Sequence, residues 1–289
     1  MEYEGQICRP PMERSSFMLA VSVGCNYNRC KFCTLFKHLK YRLLPLEQVE
    51  NELRRVSELG ANPKQIFLGD GNAFGMETPR LLYILDKISY YFPNCQMINM
   101  DATVTDISDK TDEELRQLRR AGVRRLYLGI ESGLDDVLTF MQKDHGIEDA
   151  YRQISRIQEA GLIYNAHFMT GIAGAGRGLE NAEKLAEFFN YTHPQKVVNF
   201  SLFLHKSAPL YEDILAGKFV PADEVENLRE DRRLLELLDT NPLLYDGFHD
   251  ELKLRVWGSL PKDREKMLQK LDSAIEKYND VGIKRYFAP

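Results

Sequence analysis

Short apolar runs recur along the first two thirds of the chain, and segments with helical periodicity separate them. Residues 17–23 form the first run, which predicts a buried strand that leads directly to Gly24. Such runs, bounded by polar or glycine-containing turns, are typical of strands buried in a parallel sheet. They predict five further strands, at residues 66–68, 97–100, 125–128, 162–169 and 197–204.

Helices are predicted between these strands. Residues 46–59 carry apolar side chains at helical spacing, which predicts an amphipathic helix. Thr78 stands before Pro79, and this pair predicts an N-cap followed by proline at the first helical position. The sequence TDEE at residues 111–114 has the pattern of a capping box, which predicts the start of another helix.

Strand and helix alternate six times between residues 17 and 205. This alternation predicts an α/β fold with a parallel sheet and right-handed crossovers. Six units are two fewer than those of a closed eight-fold barrel, so we predict a partial, open (β/α)6 barrel. Beyond residue 206 the strand pattern stops, and helices are predicted at residues 223–238 and 262–278. The predicted parts are an N-terminal extension (1–16), the barrel (17–205) and a small C-terminal helical cap (206–289).

Composition and charge narrow the class of partner. The 289 residues include 43 acidic and 38 basic ones, so the net charge is −5. No stripe of lysine and arginine stands out, which favours a small-molecule substrate over a nucleic acid. No apolar run is long enough to span a membrane, and the polar N-terminus does not resemble a signal peptide. We therefore expect a cytoplasmic protein with reduced thiols and no membrane partner.

Three of the five cysteines, Cys25, Cys30 and Cys33, are close together in the sequence. A structural zinc site closes its shell with four ligands, and no fourth cysteine is near in sequence. His38 is the alternative fourth ligand if the metal is zinc. Three thiolates suit an iron–sulfur cluster in which one iron stays open to another ligand. The remaining two cysteines are expected to be small, buried or half-buried residues.

The sequence around these cysteines resembles one branch of the radical SAM (S-adenosylmethionine) superfamily. The usual superfamily spacing is Cys-x3-Cys-x2-Cys, and this chain has one more residue in the first gap. A branch with the longer gap carries an Arg-Pro-Pro-Ser-Glu segment before a Gly-Cys-Ser-Tyr-Asn-Lys-Cys-Thr-Phe-Cys loop. The matching sequences here are RPPME at residues 9–13, GCNYNRCKFC at 24–33, GIESG at 129–133 and LPKD at 260–263.

The resemblance implies that Cys25, Cys30 and Cys33 ligate a [4Fe–4S] cluster and that SAM binds its open iron. Phe32 and Ile172 match apolar residues that lie beside the adenine in the family. The full set of residues implied to bind SAM is Phe32, Asp70, Gly71, Asn72, Glu131, Ser132, Lys143 and Ile172.

Each of these residues also has a plain structural interpretation. Phe32 is equally a packing aromatic, and residues 69–72 are equally an ordinary polar turn. Ser132 suits a helix N-cap, and Lys143 suits a solvated surface position. The glycines at residues 171–176 are also found in phosphate-binding loops, but no Lys-Ser/Thr pair follows them.

Polar side chains near the ends of the third, fifth and sixth predicted strands are candidates for the substrate site. Strands buried in a parallel sheet are nearly continuous in apolar residues, so polar residues within them are informative. Alternation places Asn199 and Ser201 on one face, which we expect to point inward. The alternative is that each is a core polar group with its hydrogen bonds satisfied. The candidate set is Asn99, Asp101, His167, Asn199, Ser201 and His205.

The resemblance implies an enzyme that reductively cleaves SAM to a 5′-deoxyadenosyl radical. The radical would abstract hydrogen from a small polar substrate, leading to bond cleavage or rearrangement, with a flavodoxin or ferredoxin as reductant. Queuine lyase, which releases a 7-deazaguanine base, is one activity associated with compact enzymes that resemble this branch. The rival interpretation is a non-catalytic iron–sulfur electron carrier or redox sensor, which would not need polar groups at three successive strand ends.

The ligand assignment predicts opposite results for two cysteine substitutions. Cys30→Ala removes a cluster ligand, so the variant should lose the brown chromophore after anaerobic reconstitution. Cys95→Ala lies outside the ligand set and should keep it. Visible absorption and iron content per protein measure both outcomes, and loss of the chromophore in the Cys95 variant would contradict the assignment.

Overall fold

Between residues 17 and 205, parallel strands alternate with helices, as the sequence predicts. The computed structural model describes residues 8–279. The strands are β1 (Phe17–Ala20), β2 (Ser22–Val23), β3 (Arg42–Leu43), β4 (Gln65–Gly69), β5 (Met97–Ala102), β6 (Val123–Glu131), β7 (Ile163–Phe168), β8 (Lys196–Phe200), β9 (Leu243–His249) and β10 (Leu254–Leu260). The helices are α1 (Leu46–Glu58), α2 (Thr78–Tyr91), α3 (Val104–Ser108), α4 (Asp112–Arg120), α5 (Asp135–Phe140), α6 (Ile147–Glu159), α7 (Gly178–Thr192), α8 (Leu210–Leu215), α9 (Glu224–Leu237) and α10 (Arg264–Tyr278).

Parallel strands form the framework of each of two compact units. Among the described residues, the first unit holds 8–28, 35–128 and 153–164, and the second holds 29–34, 129–152 and 165–279. The strand order in the first unit is β1-β4-β5-β6, and these neighbours are parallel. In the second unit β7, β8 and β9 are parallel, and β10 pairs with β9 in the antiparallel sense. The predicted α/β class with an open parallel sheet is therefore confirmed.

All six predicted strands are present. The predicted helix starts hold to within a residue, except that α10 begins two residues later than predicted, at Arg264. The Thr111 hydroxyl accepts a hydrogen bond from the Glu114 backbone N–H, and the Glu114 carboxylate accepts from the Thr111 N–H. This reciprocal pair is the capping box that the sequence predicted. α2 begins one residue earlier than predicted, because Glu77 occupies the N-cap and Thr78 the first helical position.

The N-terminal segment is fixed in the first unit by a buried carboxylate. Pro11–Glu13 forms a short 3-10 turn, and Glu13 is almost fully buried. Its carboxylate accepts a hydrogen bond from the Asn99 amide at 2.9 Å and further ones from the hydroxyls of Ser16 and Tyr127. Three donors stabilise this carboxylate away from water, where an unpaired charge would be costly.

The expectation that strands stop after residue 206 is wrong. β9 extends the parallel set, and β10 returns beside it with Leu254 opposite His249 and Leu260 opposite Leu243. The sequence LRVWGSL of β10 alternates between partly exposed and buried positions, which is the period of a strand. The predicted helices around it are present as α9 and α10. The division of the chain at residues 16 and 205 stays a prediction, and residues 1–7 and 280–289 lie outside the described residues.

Candidate active site

The three candidate cluster ligands are distributed over both units of the chain. Cys25 belongs to the first unit, Cys30 and Cys33 belong to the second, and all three are half-buried and outside any disulfide. In the second unit the Lys31 N–H donates to the Met141 carbonyl at 2.9 Å, and the Lys31 carbonyl accepts from Leu210 at 3.0 Å. The loop after Cys30 is thus held by backbone hydrogen bonds on both sides.

Three half-buried thiols on one loop are the soft donor set that an iron–sulfur cluster uses. Within residues 8–279 no three side chains among Cys, His, Asp and Glu already form a group that could hold a metal ion. The assignment of Cys25, Cys30 and Cys33 as ligands therefore stays a prediction, supported by the chemistry of the donors.

Two residues predicted to contact the adenine, Phe32 and Ile172, lie in one apolar cluster of the second unit. Ile172 is fully buried within it, and Phe32 is only partly buried and packs against it. They come from distant parts of the sequence, so their convergence was not visible in local periodicity. The cluster also includes Leu134, Val137, Met141, Leu202, Leu204, Leu210 and Phe219.

Glu131 and Lys143, predicted separately as SAM contacts, form a buried ion pair in the second unit. The Lys143 ammonium lies 3.5 Å from a Glu131 carboxylate oxygen and 3.6 Å from Asp144. Burial alone would lower the pKa of Lys143, but the negative charges of Glu131, Cys30 and Asp144 raise it well above its usual value. Lys143 is thus a buried cation, and the surface-lysine interpretation is wrong.

The same pair influences the thiol of Cys30. Burial raises the pKa of Cys30 to about 11, and the ammonium of Lys143 opposes this effect. Burial also raises the pKa of Glu131, again opposed by Lys143. Lys143 therefore acts electrostatically on both a predicted cluster ligand and a predicted SAM contact.

Ser132 is committed to hydrogen bonds within the second unit. Its hydroxyl donates to the Asn181 side-chain oxygen at 2.6 Å and accepts from the Leu134 N–H at 3.1 Å. Asn181 in turn donates to Glu230, whose other oxygen accepts from the Gly171 N–H at 2.8 Å. Neither Asn181 nor Glu230 could be recognised from local sequence, because both lie inside helices. The cofactor role of Ser132 stays a prediction.

The turn after β4 packs against the start of the cysteine loop in the first unit. Gly71 has a φ of +102°, and a Cβ atom there would lie 2.0 Å from the Gly24 carbonyl oxygen. Asp70 is buried and accepts from the Cys8 N–H at 3.0 Å. Burial raises the pKa of Asp70, and this hydrogen bond opposes the shift.

Asn72 connects the same turn to the cysteine loop through side chains. Its amide donates to the Asn26 side-chain oxygen at 2.7 Å and also to the Asp106 carboxylate. The side-chain oxygen of Asn72 is buried and has no hydrogen-bond partner within residues 8–279. An unpaired buried acceptor is costly, which fits a residue that receives a donor from a bound cofactor.

In the first unit, the two candidate substrate residues of β5 differ in environment. Asn99 is fully buried, and its amide is held by Glu13. Asp101 is partly buried, and burial together with the charges of Glu13 and Asp70 raises its pKa to about 7. Asp101 is therefore the more accessible of the two, and it changes charge near neutral pH.

The candidates of the second unit divide between the two faces of its strands. His167 pairs with Val198 in the parallel register, whereas Asn199 pairs with Phe168. Because side chains alternate along a strand, His167 and Asn199 point to opposite faces. The expectation that Asn199 points inward together with His167 is wrong. Asn199 instead accepts from the Thr170 N–H at 3.1 Å.

Ser201 is the outer end of a buried polar chain that sequence reasoning missed. Its hydroxyl lies 3.1 Å from His249 Nδ1, and His249 Nε2 lies 2.9 Å from Asp231. Asp231 and His249 are both fully buried. The Asp231 carboxylate also accepts from the Tyr245 hydroxyl.

His167 and His205, the remaining two candidates, are both partly buried. Burial and the charges of Lys143 and Lys196 lower the pKa of His167 to about 4, so its ring is neutral near pH 7. His205 lies 3.3 Å from the Ser207 hydroxyl. The substrate roles of all six candidates stay predictions.

Three half-buried cysteines on one loop of an open parallel α/β fold fit the donor set of an iron–sulfur protein. Residues 19–189 match the family model described as the Radical SAM superfamily, and the chain belongs to this superfamily. Two expectations are thereby confirmed: the protein is an enzyme, and its cofactors are a [4Fe–4S] cluster and SAM.

Individual curated relatives share low sequence identity with this chain. The chain is 25% identical over 232 residues to a tRNA-2-methylthio-N(6)-dimethylallyladenosine synthase of Chlorobium luteolum, covering 78% of this chain and 49% of the relative. The chain thus spans about half the length of this curated relative.

Solved structures show the same fold at low identity. Coproporphyrinogen III oxidase of Escherichia coli has a TM-score of 0.60 at 14% identity, over 76% of this chain and 52% of that one. The radical S-adenosylmethionine methyltransferase TsrM of Kitasatospora setae, solved with a [4Fe–4S] cluster and cobalamin, has a TM-score of 0.56 at 16% identity. That likeness covers 70% of this chain and 39% of TsrM.

Three expectations concern partners and location: the absence of a membrane partner, a cytoplasmic location and the absence of a nucleic-acid partner. Among residues 8–279, no helix has the length and apolar character that a membrane span requires. The expected cytoplasmic location stays a prediction. The expectation that no nucleic acid is a partner also stays a prediction, because one relative is named for a tRNA modification.

The close approach of Gly71 to the cysteine loop predicts a selective effect of alanine substitutions. Gly60 also has a positive φ, of +77°, but a Cβ atom there meets nothing within 4 Å. Gly60→Ala should cost about 1 kcal/mol through backbone strain. Gly71→Ala adds overpacking, so its cost should be about 3 kcal/mol, with less iron retained after reconstitution. Urea unfolding and iron content measure both, and equal effects of the two substitutions would contradict this packing.

The raised pKa of Asp101 predicts a pH-dependent effect of Asp101→Asn. The folded protein holds the proton on Asp101 up to about pH 7, whereas the unfolded chain releases it near 3.8. Stability contributed by the protonated form is therefore lost as pH rises from about 4 to 7. Relative to the variant, the wild type should lose about 2 kcal/mol over this window, since partial exposure weakens the effect.

Urea unfolding of both proteins at pH 4, 5.5 and 7.5 tests this prediction. Asp86→Asn, at an exposed position of α2, is the matched control and should show no such change. A difference between wild type and Asp101→Asn that stays constant with pH would show that Asp101 is ionised throughout.

Proposed function

We propose that this radical SAM enzyme abstracts hydrogen from a small, polar, heterocyclic substrate and thereby causes bond cleavage or rearrangement. The observation that supports this most is the buried ion pair of Glu131 and Lys143, which acts electrostatically on Cys30. A cation beside the ligands of a plain electron carrier would tune the reduction potential of its cluster, but a buried cation also offers a binding site for an anionic group. A cation in this place suits the binding of a carboxylate-bearing cofactor.

Different residues of the chain would bind different parts of the two cofactors. Cys25, Cys30 and Cys33 would hold the cluster. Lys143 would attract the methionyl carboxylate, and Phe32 and Ile172 would pack on the adenine. When bound, the reduced cluster and SAM supply a 5′-deoxyadenosyl radical by one-electron cleavage of the sulfonium bond, with methionine as the other product. A flavodoxin or ferredoxin would supply the electron.

Queuine lyase is the specific activity that we propose to test first. Its product is a 7-deazaguanine base, whose ring carries N–H donors at one edge. Asp101, at the end of β5, offers an acceptor for such a donor. One relative is named for a modified adenosine, which is also a fused nitrogen heterocycle.

The assay is anaerobic reconstitution followed by dithionite and SAM, with and without queuine. We expect 5′-deoxyadenosine and methionine to form in the wild type and to be absent in Cys30→Ala. Release of a smaller base would identify the lyase reaction. If the wild type forms neither product but its cluster is reversibly reduced, the electron-carrier interpretation replaces the enzyme one for this chain.

A further inference from the structure

Two aromatic rings stack at the ends of neighbouring strands in the second unit. Phe200 is the last residue of β8, and Phe248 is the second-last residue of β9. Their ring centroids are 5.4 Å apart, and their planes differ by 14°. His167, near the end of β7, meets Phe200 edge-on at 5.6 Å. Neither phenylalanine was singled out by the sequence, and both are only partly buried.

These rings lie on the face of the strands that the helices of the second unit do not cover. Side chains on the opposite face pack on helices: Phe168 contacts Phe189 of α7, and Tyr245 binds Asp231 of α9. Phe248 pairs with Phe200 in the parallel register. Both are an odd number of residues away from the side chains that pack on the helices, so both point to the other face of the strands. The aromatic stack is therefore separate from the apolar core beneath the helices.

Charged groups and a further aromatic residue border the stack on β9 and β10. The Arg255 guanidinium lies 4.9 Å from the centre of the Phe248 ring and forms a two-pronged salt bridge with Asp246 at 2.8 and 2.9 Å. Trp257 is directly opposite Asp246 in the antiparallel register. Its side chain is 65% exposed, which is unusual for the largest apolar residue.

The stack also adjoins one of the candidate substrate residues of the same unit. His167 meets the Phe200 ring edge-on, and burial together with the charges of Lys143 and Lys196 lowers the pKa of His167. A neutral ring therefore borders the stack on the β7 side.

We propose that Phe200, Phe248, Arg255 and Trp257 form a platform that binds the planar ring of a free nitrogen heterocycle of purine size. Partly exposed aromatic rings with an adjacent guanidinium are the groups on which bases stack. The Arg255 side chain is 54% exposed and is oriented by its salt bridge with the buried Asp246, so its guanidinium can donate to an acceptor at the edge of such a ring. The proposal deepens the proposed function, because it names the chemical class of that substrate and where its ring binds.

Trp257 is the only tryptophan of the chain, so it reports on its own surroundings. The experiment titrates 7-deazaguanine into the reconstituted holoenzyme with the cluster oxidised and no reductant present. We expect saturable quenching of tryptophan fluorescence and a matching isotherm in calorimetry. A non-planar ring, cyclopentane-1,2-diol, should produce neither.

Phe248→Leu removes the ring from the platform and should weaken 7-deazaguanine binding about tenfold or more, as loss of one stacking partner does. Tyr191→Leu removes a 74% exposed aromatic side chain from α7 and is the matched control, for which affinity should not change. If Phe248→Leu does not fold, Arg255→Met, at a half-exposed side chain, replaces it and should also weaken binding.

Three results would overturn the platform. They are the absence of saturable binding, equal losses for Phe248→Leu and Tyr191→Leu, and tighter binding of a short single-stranded RNA than of the free base. Formation of 5′-deoxyadenosine is measured separately. Binding without 5′-deoxyadenosine would contradict the proposed chemistry alone, and 5′-deoxyadenosine without binding would contradict the platform alone.

Discussion

A buried ammonium is the constraint around which the second unit is arranged. Removing Lys143 from water is costly unless negative charges surround it, and Glu131 and Asp144 supply them at 3.5 and 3.6 Å. Both separations exceed the roughly 2.7–2.9 Å of a charge-assisted hydrogen bond. The ammonium therefore keeps capacity to donate to a further acceptor. Glu131 reaches this position with a positive φ of 65°, a conformation that an ordinary strand residue avoids.

The two faces of the strands in the second unit have different chemistry. Beneath the helices, a chain of hydrogen bonds runs from Asp231 of α9 through His249 to Ser201 and fixes the sheet to α9. The face that the helices of the second unit do not cover instead holds the neutral ring of His167, the paired Arg255 and Asp246, and the stacked rings of Phe200 and Phe248. A fully satisfied polar network rigidifies a core, so it supports the strands whose ends carry His167 and Phe200.

The fold could be predicted from the sequence where a signal is local. The apolar runs before Gly24 and Gly69 indicated β1 and β4, and the capping box at Thr111 marked the start of α4. β9 and β10 were missed because polar residues and glycine interrupt their apolar runs: Asp246 and Gly247 in β9, and Arg255 and Gly258 in β10. The short helices α3, α5 and α8 have too few residues to show a period of 3.6.

The sequence allowed the residues of the candidate active site to be named, but it did not show which of them contact one another. Glu131 and Lys143 were each named, yet their pairing depends on the backbone between them. Asn199 was expected to point inward, but it shares a face with Phe168, which packs on α7. Alternation indicates which residues share a face, but it does not indicate which face the helices cover.

The extra residue between the first two cysteines has a physical explanation in the first unit. Within that gap, the Asn26 amide donates to Asp106 at 2.8 Å, and its oxygen accepts from Asn72. Asn28 adopts a φ of +45°, which asparagine tolerates better than most residues, and its amide donates to the Phe36 carbonyl at 2.8 Å. The longer loop is thus held by side chains, so a longer gap need not mean a looser cluster site.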